Sequence, residues 1–373
     1  MRFETRSIHT GLDIGNPSTA IVPPISPSNI FEIDPEGKQA GDYHYSRLQN
    51  PNRQQFEAVL TSLEGGADAA AFSSGVAAAA AILQSLEPGD HVLMPEDVYA
   101  GNRWLVQKLL LRWNLDVEFM AMHDPEEVRS RLRKETALVW IESPSNPLMR
   151  LTDIAETVRL AHEAGAVVAV DNTWPTPVNQ RPLEQGADLV LHSTSKYFGG
   201  HSDLIGGAVI CREGTPLFDQ IRRGQILGGA VPSPNDCWLF ARSTRTLAYR
   251  MRGHNENAFA LARFLESHER IDRVFYPGLE SHPQYAIAKK QMDGYGGMIS
   301  FLLDGHATDA IGVVGRSNLV KRATSLGGVE STWEHRQSSE GEGSVSPDNL
   351  IRISVGLEHP DDLLEDVQKA LKG

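Results

Sequence analysis

Short, almost continuously apolar runs punctuate the first two thirds of the chain, and each one ends in small or polar residues. They occupy positions 67–72, 91–94, 137–141, 166–170 and 187–191. A strand that is apolar along its whole length is typical of a parallel sheet buried on both faces. Helical patterns lie between several of these runs. We therefore predict an α/β fold in which a mostly parallel sheet lies between helices.

The last of these runs is followed at once by hydroxyl side chains, a lysine and paired glycines, in the order STSKYFGG from position 193. A lysine at a strand end can act as an amine nucleophile, and glycines let the backbone pass close to a flat ligand. We hypothesise that Lys196 carries pyridoxal phosphate as a Schiff base and that Ser193 and Ser195 bind its phosphate. The alternative is a solvated surface lysine, the usual state of this residue type.

Two other strand ends carry side chains suited to a pyridine ring. Asp171 follows the run 166–170, where an unpaired carboxylate is costly, and it can pair with a protonated ring nitrogen. Tyr99 lies in the turn after the strand 91–94 and can stack on a planar ligand. A helix cap or a salt bridge would also account for Asp171, and an ordinary loop would account for Tyr99.

A small-residue turn, SSGV at 73–76, joins the first apolar run to an alanine-rich helical segment, 77–86. Free N–H groups and the helix dipole converge at such a turn, which makes it suited to binding an anion. Gly75 and Val76 are therefore candidate phosphate ligands. Tight packing beneath the alanines is the alternative.

The first 42 residues show little periodicity and are interrupted by prolines. A structureless segment of this length is unusual inside a compact domain. Apolar residues such as Ile21 and Ile30 favour docking on another subunit, so we predict an oligomer. Tyr45 and Arg47 follow this segment, and arginine suits bidentate phosphate binding. A surface turn is the alternative for this pair.

Length and composition narrow the class of protein. A chain of 373 residues suggests more than one domain, and we predict an N-terminal arm (1–45), a large domain (46–240) and a small domain (241–373). A formal net charge of -13 disfavours nonspecific nucleic-acid binding. Cys211 and Cys237 lie in or beside apolar runs and are expected to be free thiols, with no metal site. We expect a cytoplasmic protein without a signal peptide or membrane span.

Two further polar residues occur in unusual settings. Arg352 lies within the apolar alternation of a predicted strand, 350–355, and a buried arginine requires an anion. That anion is a substrate carboxylate or a salt-bridge partner. Asn146 lies between two prolines in the loop after the strand 137–141. The prolines restrict the backbone of this loop, so we expect the Asn146 side chain to have a fixed orientation.

Together these segments resemble the PLP-dependent enzymes of cysteine and methionine metabolism. That family includes cystathionine γ-synthase, cystathionine β-lyase, cystathionine γ-lyase, methionine γ-lyase and the homoserine sulfhydrylases. The matching segments, in order, are YSRLQNP, LEGGADAAAFSSGVAA, ESPSNP, VDNTW, HSTSKYFGGH, VFYPGL, SLGGVES and LIRISVGLE. The resemblance implies a fold-type I PLP-dependent transferase with an extended N-terminal arm and a smaller α+β C-terminal domain.

The resemblance also implies a role for each candidate residue. Lys196 forms the Schiff base and acts as general base and acid, Asp171 pairs with the pyridine nitrogen, and Tyr99 stacks on the ring and assists the leaving group. The phosphate ligands are expected to be Gly75, Val76, Ser193 and Ser195, with Tyr45 and Arg47 from a neighbouring subunit. Thr173 is expected at the polar edge of the ring, and Asn146, Ser325 and Arg352 near the substrate carboxylate and the cofactor hydroxyl. A homotetramer, a dimer of dimers with shared active sites, is implied.

The activity we predict is γ-elimination on cystathionine or a related sulfur amino acid, giving cysteine, 2-oxobutanoate and ammonia. Cystathionine γ-synthase, which performs γ-replacement on an acyl-homoserine, and cystathionine β-lyase are alternatives. An aminotransferase and a non-catalytic scaffold are remoter ones.

Several positions depart from the family pattern. Val76 stands where methionine is frequent, YAGN replaces the commoner YGGT, and Thr324 stands where γ-lyases and γ-synthases often have glutamate. The segment TWEHRQSSEGEGSVSPD from position 332 replaces a longer loop. We expect distal substrate contacts from Trp333, His335 and Arg336, and we expect substrate choice to be made around Thr324 and Trp333.

Overall fold

The computed structural model describes residues 1–341, 344 and 346–372. Its larger sheet contains β1 (Asp68–Phe72), β2 (His91–Pro95), β3 (Asp116–Met120), β4 (Thr136–Glu142), β5 (Val167–Asp171), β6 (Leu189–His192) and β7 (Gly207–Cys211). The strands are ordered β1-β7-β6-β5-β4-β2-β3. Strands β2 to β6 pair in parallel, whereas β7 pairs antiparallel with β1 and β6. The predicted mostly parallel α/β sheet is confirmed.

The smaller sheet lies in the C-terminal third of the chain. It contains β8 (Ile271–Phe275), β9 (Met298–Leu303), β10 (Lys321–Arg322), β11 (Thr332–His335) and β12 (Leu350–Ser354), in the order β10-β11-β12-β9-β8. Only β10 and β11 pair in parallel among these described strands.

The helices are α1 (Phe3–His9), α2 (Pro51–Glu64), α3 (Gly75–Gln84), α4 (Ala100–Trp104), α5 (Pro125–Arg131), α6 (Ile154–Glu163), α7 (Thr176–Asn179), α8 (Pro216–Gly228), α9 (Pro234–Thr244), α10 (Leu247–Glu266), α11 (Tyr285–Gln291), α12 (Ala307–Arg316), α13 (Arg336–Glu340) and α14 (Pro360–Lys372). Several begin with a polar N-cap followed by proline, as at Asn50-Pro51 and Thr215-Pro216. The cap side chain accepts a free backbone N–H, and proline has no N–H to leave unpaired.

Helices cover both faces of the larger sheet. Helices α3 and α8 pack together over β7 and β1, whereas α2 and α6 contact β1 and β5. The buried alanines of β1 and α3, including Ala70, Ala78 and Ala79, let this first helix approach the sheet closely. The beginning of α3 is therefore held at the carboxyl end of β1.

The smaller sheet has its own apolar core. Helices α10 and α12 contact β8 and β11, and α14 packs on both helices. Trp333 of β11 is buried in this core beside Phe301 and Ile353. The two sheets lie on either side of the predicted boundary near residue 240, which remains a prediction.

Some predicted elements differ from the observed ones. Within the arm that lacks sequence periodicity, residues Phe3–His9 form a helix that packs on α2. The sequence LVQKLLLRW at 105–113 predicts a helix, but these residues form a π turn followed by a 3-10 turn. The amphipathic pattern over 238–267 predicts one long helix, but this segment is divided between α9 and α10. The polar segment 334–348 predicts a loop, but β11 extends into it and α13 forms within it, and positions 342, 343 and 345 lie outside the described residues.

The described residues show neither a membrane-spanning helix nor a metal site. None of the described helices has both the length and the apolar character needed to cross a membrane. Across residues 1–341, 344 and 346–372, no group of three or more His, Cys, Asp and Glu side chains is arranged to hold a metal ion. Cys211 and Cys237 are buried free thiols, as predicted. A cytoplasmic location remains a prediction.

Candidate active site

Strand direction brings most of the predicted site residues to one edge of the larger sheet. Strands β1, β2, β4, β5 and β6 all run the same way, so their carboxyl ends share that edge. Ligands of open α/β sheets bind outside the carboxyl ends of the strands. The turns that follow these ends carry Gly75, Val76, Tyr99, Asn146, Thr173, Ser193, Ser195 and Lys196, and Asp171 is the last residue of its strand.

Lys196 is hydrogen-bonded to Ser325, a residue from the C-terminal third of the chain. Its Nζ donates a hydrogen bond of 2.6 Å to Ser325 Oγ. Ser325 has a φ of 79°, a left-handed conformation that is uncommon for a side chain other than glycine and is concentrated at functional sites. Two residues later, a Cβ added to Gly327 would lie 2.8 Å from the backbone nitrogen of Tyr197. The absence of a side chain there lets the two turns touch.

The amine of Lys196 is set up to be partly neutral near physiological pH. Burial, and to a lesser degree the positive charge of Arg352, lower its pKa to about 8, against the opposing effect of Glu334. A lysine must lose its proton before it can act as a nucleophile or a base. This setting therefore suits the predicted role of Lys196.

Thr173 connects Asp171 to the turn that carries the lysine. Its Oγ1 donates to Asp171 Oδ1 at 2.5 Å, and its backbone N–H donates to the same oxygen at 3.1 Å. The same hydroxyl accepts the backbone N–H of Ser193 at 2.9 Å. Burial raises the pKa of Asp171, whereas these hydrogen bonds and the charge of His192 lower it. A cation at this carboxylate would stabilise its ionised form.

Glu142 is a buried carboxylate for which the sequence predicted no role. It ends β4 and is the register partner of Asp171 at the end of β5. Its Oε2 accepts the backbone N–H of Tyr99 at 2.9 Å. Burial, reinforced by the charge of Asp171, raises the pKa of Glu142 well above its ordinary value. Its position directly after the apolar run 137–141 is the sequence feature that could have marked Glu142 as a candidate site residue.

The start of α3 packs directly against the lysine turn. A Cβ added to Gly75 would lie 2.8 Å from Ser193 Cβ and 2.9 Å from its Oγ. Ser74 caps the helix by accepting the N–H of Ala77, and the first N–H groups of a helix lack partners within it. Ser195 Oγ accepts the N–H of Gly206 at 3.0 Å, which fixes that side chain. The predicted phosphate-binding residues of the two turns therefore lie together.

Tyr99 lies at the beginning of α4. This residue is 43% exposed, and a Cβ added to Gly101 would collide with its aromatic ring. Glycine at that position therefore leaves room for the tyrosine side chain. The backbone N–H of Tyr99 bonds to Glu142 at the end of β4, and its accessible ring is available for stacking.

Arg352 is buried, and several oxygen atoms surround its guanidinium. Its Nη1 donates to Asn146 Oδ1 at 2.8 Å, and its Nη2 lies 3.3 Å from the carbonyl oxygen of Ser325. The Nη2 also forms an ion pair of 2.5 Å with Glu334. Burial and the charge of Arg336 lower the pKa of Arg352 to about 10, so it stays protonated at neutral pH. The salt bridge, one of the two predicted explanations for this arginine, is present.

The substrate contacts expected from residues 333–336 need correction. Trp333 is buried in the core of the smaller sheet, where its Nε1 donates to the carbonyl oxygen of Val314 at 3.1 Å. His335 bonds within its own segment, to Ser338 and to the carbonyl oxygen of Asp348. Of the three, only Arg336 connects to the site, through an ion pair of 2.9 Å with Glu334.

Tyr45 and Arg47 pair with each other away from the lysine. The guanidinium carbon of Arg47 lies 5.5 Å from the Tyr45 ring centroid, and its Nη1 donates to the carbonyl oxygen of Ile226 at 2.7 Å. Among the described residues, no hydrogen bond or ion pair links either side chain to Lys196 or Asp171. The single chain therefore does not bring these two residues into the cluster.

The clustered residues fit pyridoxal phosphate. Because Gly75 has no side chain, the start of α3 can lie close to Ser193. The N–H groups and the dipole at this helix end favour the binding of a phosphate. Asp171 is a partly buried carboxylate whose Oδ1 accepts both hydrogen bonds from Thr173. Among the described residues no hydrogen bond is made to Oδ2, which is available for a pyridine N–H. Lys196 supplies an amine whose pKa is lowered to about 8. Phosphate, ring nitrogen and aldehyde each therefore have a matching group.

Comparison with known proteins identifies similar chains. Residues 4–372 match the family model described as Cys/Met metabolism PLP-dependent enzyme. A cystathionine gamma-synthase of Mycobacterium leprae is 42% identical over 98% of this chain and 96% of its own length. A cystathionine beta-lyase of Coxiella burnetii is 41% identical over 99% and 97%. A cystathionine gamma-lyase of Dictyostelium discoideum is 39% identical over 99% and 97%.

Solved structures of similar proteins share the whole architecture. A cystathionine gamma synthase from Xanthomonas oryzae pv. oryzae, solved in complex with aminoacrylate and cysteine, has a TM-score of 0.94 and 37% identity. The match covers 100% of this chain and 98% of that one. The predicted fold-type I architecture is confirmed by this likeness.

Proposed function

Because this chain belongs to the Cys/Met metabolism PLP-dependent enzymes, we propose that it catalyses γ-elimination on cystathionine or a related sulfur amino acid. The reaction consumes water and gives cysteine, 2-oxobutanoate and ammonia. The observation that supports the proposal best is the pairing of the Lys196 amine with Ser325, next to the buried guanidinium of Arg352. This arrangement offers a mobile base beside a cation that can hold an α-carboxylate.

Each side of the cofactor has proposed ligands. Gly75, Val76, Ser193 and Ser195 would hold the phosphate, and Asp171 would hold the pyridine nitrogen, with Thr173 fixing the carboxylate. Tyr99 would stack on the ring through its exposed face. Asn146 and Arg352, joined by a hydrogen bond of 2.8 Å, would orient the substrate carboxylate, with Ser325 beside them.

When bound, pyridoxal phosphate acts as an electron sink that acidifies the hydrogen on Cα of an attached amino acid. Lys196 removes this Cα proton once its own amine is neutral, which its lowered pKa of about 8 allows near physiological pH. Once it has passed this first proton to C4′ of the bound cofactor, the same side chain would take a proton from Cβ, and the sulfur would leave from Cγ with a proton donated to it. Tyr99 would assist that last transfer. Removal of the Cβ proton is what distinguishes γ-elimination from β-elimination.

A second candidate is γ-replacement, as in cystathionine γ-synthase. It is favoured by the names of the curated M. leprae relative and of the X. oryzae structure. Both reactions require the same two proton removals and the same departure from Cγ. They differ in their later steps, because in replacement cysteine adds at Cγ and the product leaves as an intact amino acid, displaced by the Lys196 amine, whereas elimination consumes water and releases ammonia and 2-oxobutanoate.

We also propose a homotetramer, a dimer of dimers with shared active sites. Tyr45 and Arg47 lie together away from Lys196 in their own chain. The preceding arm exposes large apolar residues, with Ile21 at 85% and Ile30 at 67% exposure. Burial of such residues against a second subunit would stabilise the assembly. It would also carry Arg47 to the phosphate of the neighbouring site.

Product identification on a substrate panel tests the proposed reaction. Purified holoenzyme is incubated with cystathionine, and separately with an acyl-homoserine plus cysteine. We expect 2-oxobutanoate and cysteine from cystathionine. Cystathionine formed from the acyl-homoserine, without 2-oxobutanoate release from cystathionine, would establish γ-replacement instead. Pyruvate with homocysteine would establish β-elimination, and stable pyridoxamine phosphate with one equivalent of keto acid would reveal a transaminase.

A further inference from the structure

The proposed carboxylate anchor is already occupied by a carboxylate of the chain itself. Glu334 of β11 is the register partner of Arg352 of β12, so both side chains project from the same face of the smaller sheet. Glu334 Oε1 lies 2.5 Å from Arg352 Nη2, while Arg352 Nη1 donates a hydrogen bond of 2.8 Å to Asn146 Oδ1. Both terminal nitrogens of the guanidinium therefore have partners before any substrate arrives.

A second arginine contacts the same carboxylate oxygen. Arg336 Nη1 lies 2.9 Å from Glu334 Oε1, and its Nε lies 2.9 Å from Glu340 Oε1, close enough for an ion pair although the N–H does not point along a hydrogen bond. The exposures of the Arg336, Glu334 and Arg352 side chains are 7%, 4% and 4%. Two buried cations therefore share Glu334, and Glu340 holds the second of them in position.

One oxygen of Glu334 remains without a hydrogen bond. Within the described residues, Oε2 is buried and has no donor. An unpaired buried carboxylate oxygen is costly, so the observed arrangement leaves a free acceptor that a donor can reach after a small movement. Rotation of the carboxylate toward Arg336 would exchange the Arg352 contact for a second bond to that arginine.

We propose that Glu334 is an internal carboxylate that neutralises Arg352 in the free enzyme and moves to Arg336 when a substrate carboxylate takes its place. The inference rests on the proposed function, since it assumes that Arg352 anchors the substrate. Bidentate binding of a carboxylate requires two parallel N–H donors of arginine, and Glu334 occupies one of them. Arg336 supplies the positive charge that prevents two carboxylates from repelling each other across a single guanidinium.

This exchange makes Glu334 and Arg336 positioning residues that set carboxylate affinity. Without a cation beside it, Glu334 would remain on Arg352 and compete with every amino-acid substrate. Without Glu334, the buried guanidinium of Arg352 would face the site uncompensated. The pair therefore tunes how tightly any carboxylate is held, independently of the chemistry at Cγ.

Calorimetric titration of the holoenzyme with propionate tests the exchange, because propionate has a carboxylate but no amine to react at the cofactor. We expect Glu334→Gln to bind propionate about fivefold more tightly and Arg336→Gln to bind it about fivefold more weakly, as for directly coupled neighbours. The double variant should bind propionate as tightly as Glu334→Gln, because position 336 has no effect once the carboxylate of Glu334 is absent. Propionamide, which is uncharged, serves as the control ligand and should not discriminate among the variants.

Unchanged or weaker propionate binding in Glu334→Gln would overturn the exchange, as would a loss from Arg336→Gln that persists in the double variant. Thermal unfolding of each holoenzyme establishes that the variants are folded. If Glu334→Gln does not fold, Glu334→Asp replaces it, and its shorter side chain should also tighten propionate binding.

Arg352→Lys distinguishes failure of the exchange from failure of the proposed function. If it abolishes propionate binding while Glu334→Gln has no effect, the exchange alone fails. Full binding in Arg352→Lys would remove Arg352 from the proposed function, and the exchange with it.

Discussion

Glu142 and Asp171 are register partners at the carboxyl ends of adjacent parallel strands, so a buried and a partly buried carboxylate lie side by side. Thr173 donates two hydrogen bonds to Asp171, whereas Glu142 accepts the N–H of Tyr99. Both pKa values are raised by burial, and that of Glu142 is raised further by the charge of Asp171. The two groups are therefore suited to different states, with Asp171 ionised and Glu142 protonated.

We expect Glu142→Gln to make the protein more stable than the wild type at alkaline pH. The folded protein keeps the Glu142 proton to a higher pH than the unfolded chain, so stability from this group is lost as pH rises. Glutamine cannot ionise, so the difference in the free energy of unfolding between the two proteins should grow as the pH rises above the ordinary pKa of a glutamate, about 4.3. Thermal unfolding at a series of pH values above this point measures the difference, with the exposed Glu126→Gln as the matched control. Parallel pH profiles for Glu142→Gln and the wild type would contradict the assignment.

Thr173→Val should weaken cofactor binding by about tenfold, because a buried carboxylate loses a hydrogen-bond donor. The same change removes the acceptor of the Ser193 N–H, so the phosphate turn loses its connection to Asp171. Equilibrium dialysis against pyridoxal phosphate measures the effect. Thr173→Ser keeps the hydroxyl and should retain most of the affinity. Unchanged affinity in Thr173→Val, or a greater loss in Thr173→Ser than in Thr173→Val, would contradict the role of the hydroxyl.

The rate of pyridoxal phosphate uptake by the apoprotein should rise with pH around a midpoint near 8. Only the neutral amine reacts, and the pKa of Lys196 is lowered to about 8. Because the negative charge of Glu334 raises this pKa, Glu334→Gln should move the midpoint to lower pH. Stopped-flow absorbance at a series of pH values measures both midpoints. A wild-type midpoint near that of an ordinary lysine, about 10, would contradict the effect of burial.

Trp333→Phe should lower stability without changing KM. The indole fills the core of the smaller sheet and donates to the carbonyl oxygen of Val314, so we expect a loss of about 1–2 kcal/mol in the free energy of unfolding. Chemical denaturation and steady-state kinetics measure the two quantities. Trp104→Phe, at a residue that is 44% exposed, is the control. A raised KM in Trp333→Phe with unchanged stability would return this residue to the substrate site.

Shared sites predict complementation between two inactive variants. Lys196→Ala and Arg47→Ala each inactivate a different half of every site. In a hybrid dimer one site would regain both residues, so an equal mixture should recover about a quarter of the wild-type activity after statistical reassembly. Activity is measured after subunit exchange, with each variant alone as control. An absence of recovery in mixtures shown to contain hybrids would place Arg47 in the same site as Lys196 of its own chain.

Much of the architecture was predictable because the apolar runs of a parallel sheet mark its strands directly. The residues after those strands, from Gly75 to Lys196, could be predicted to meet because the carboxyl ends of parallel strands share an edge. Glu142 received no role, since nothing local shows that its neighbour across the sheet is Asp171. The Glu334 contact was also missed, because it depends on the pairing of strands separated by a turn and a short helix.

The wrong prediction for Trp333 has a simple physical origin. The family resemblance places Trp333 in a segment that replaces a loop, where a side chain can face a ligand, but residues 332–335 form β11. Side chains alternate between the two faces of a strand. The tryptophan therefore enters the core, and its neighbour Glu334 faces Arg352.

This alternation also limits how such a protein can diverge. Inserting or deleting one residue within β11 would exchange the two faces, sending a carboxylate into the apolar core and an indole toward the arginines. Changes of length should therefore accumulate beyond α13, whereas new substrate preferences should arise by single replacements at Glu334 or Arg336. The strand pairing thus separates the positions at which this lineage can change its chemistry from those at which it can change its length.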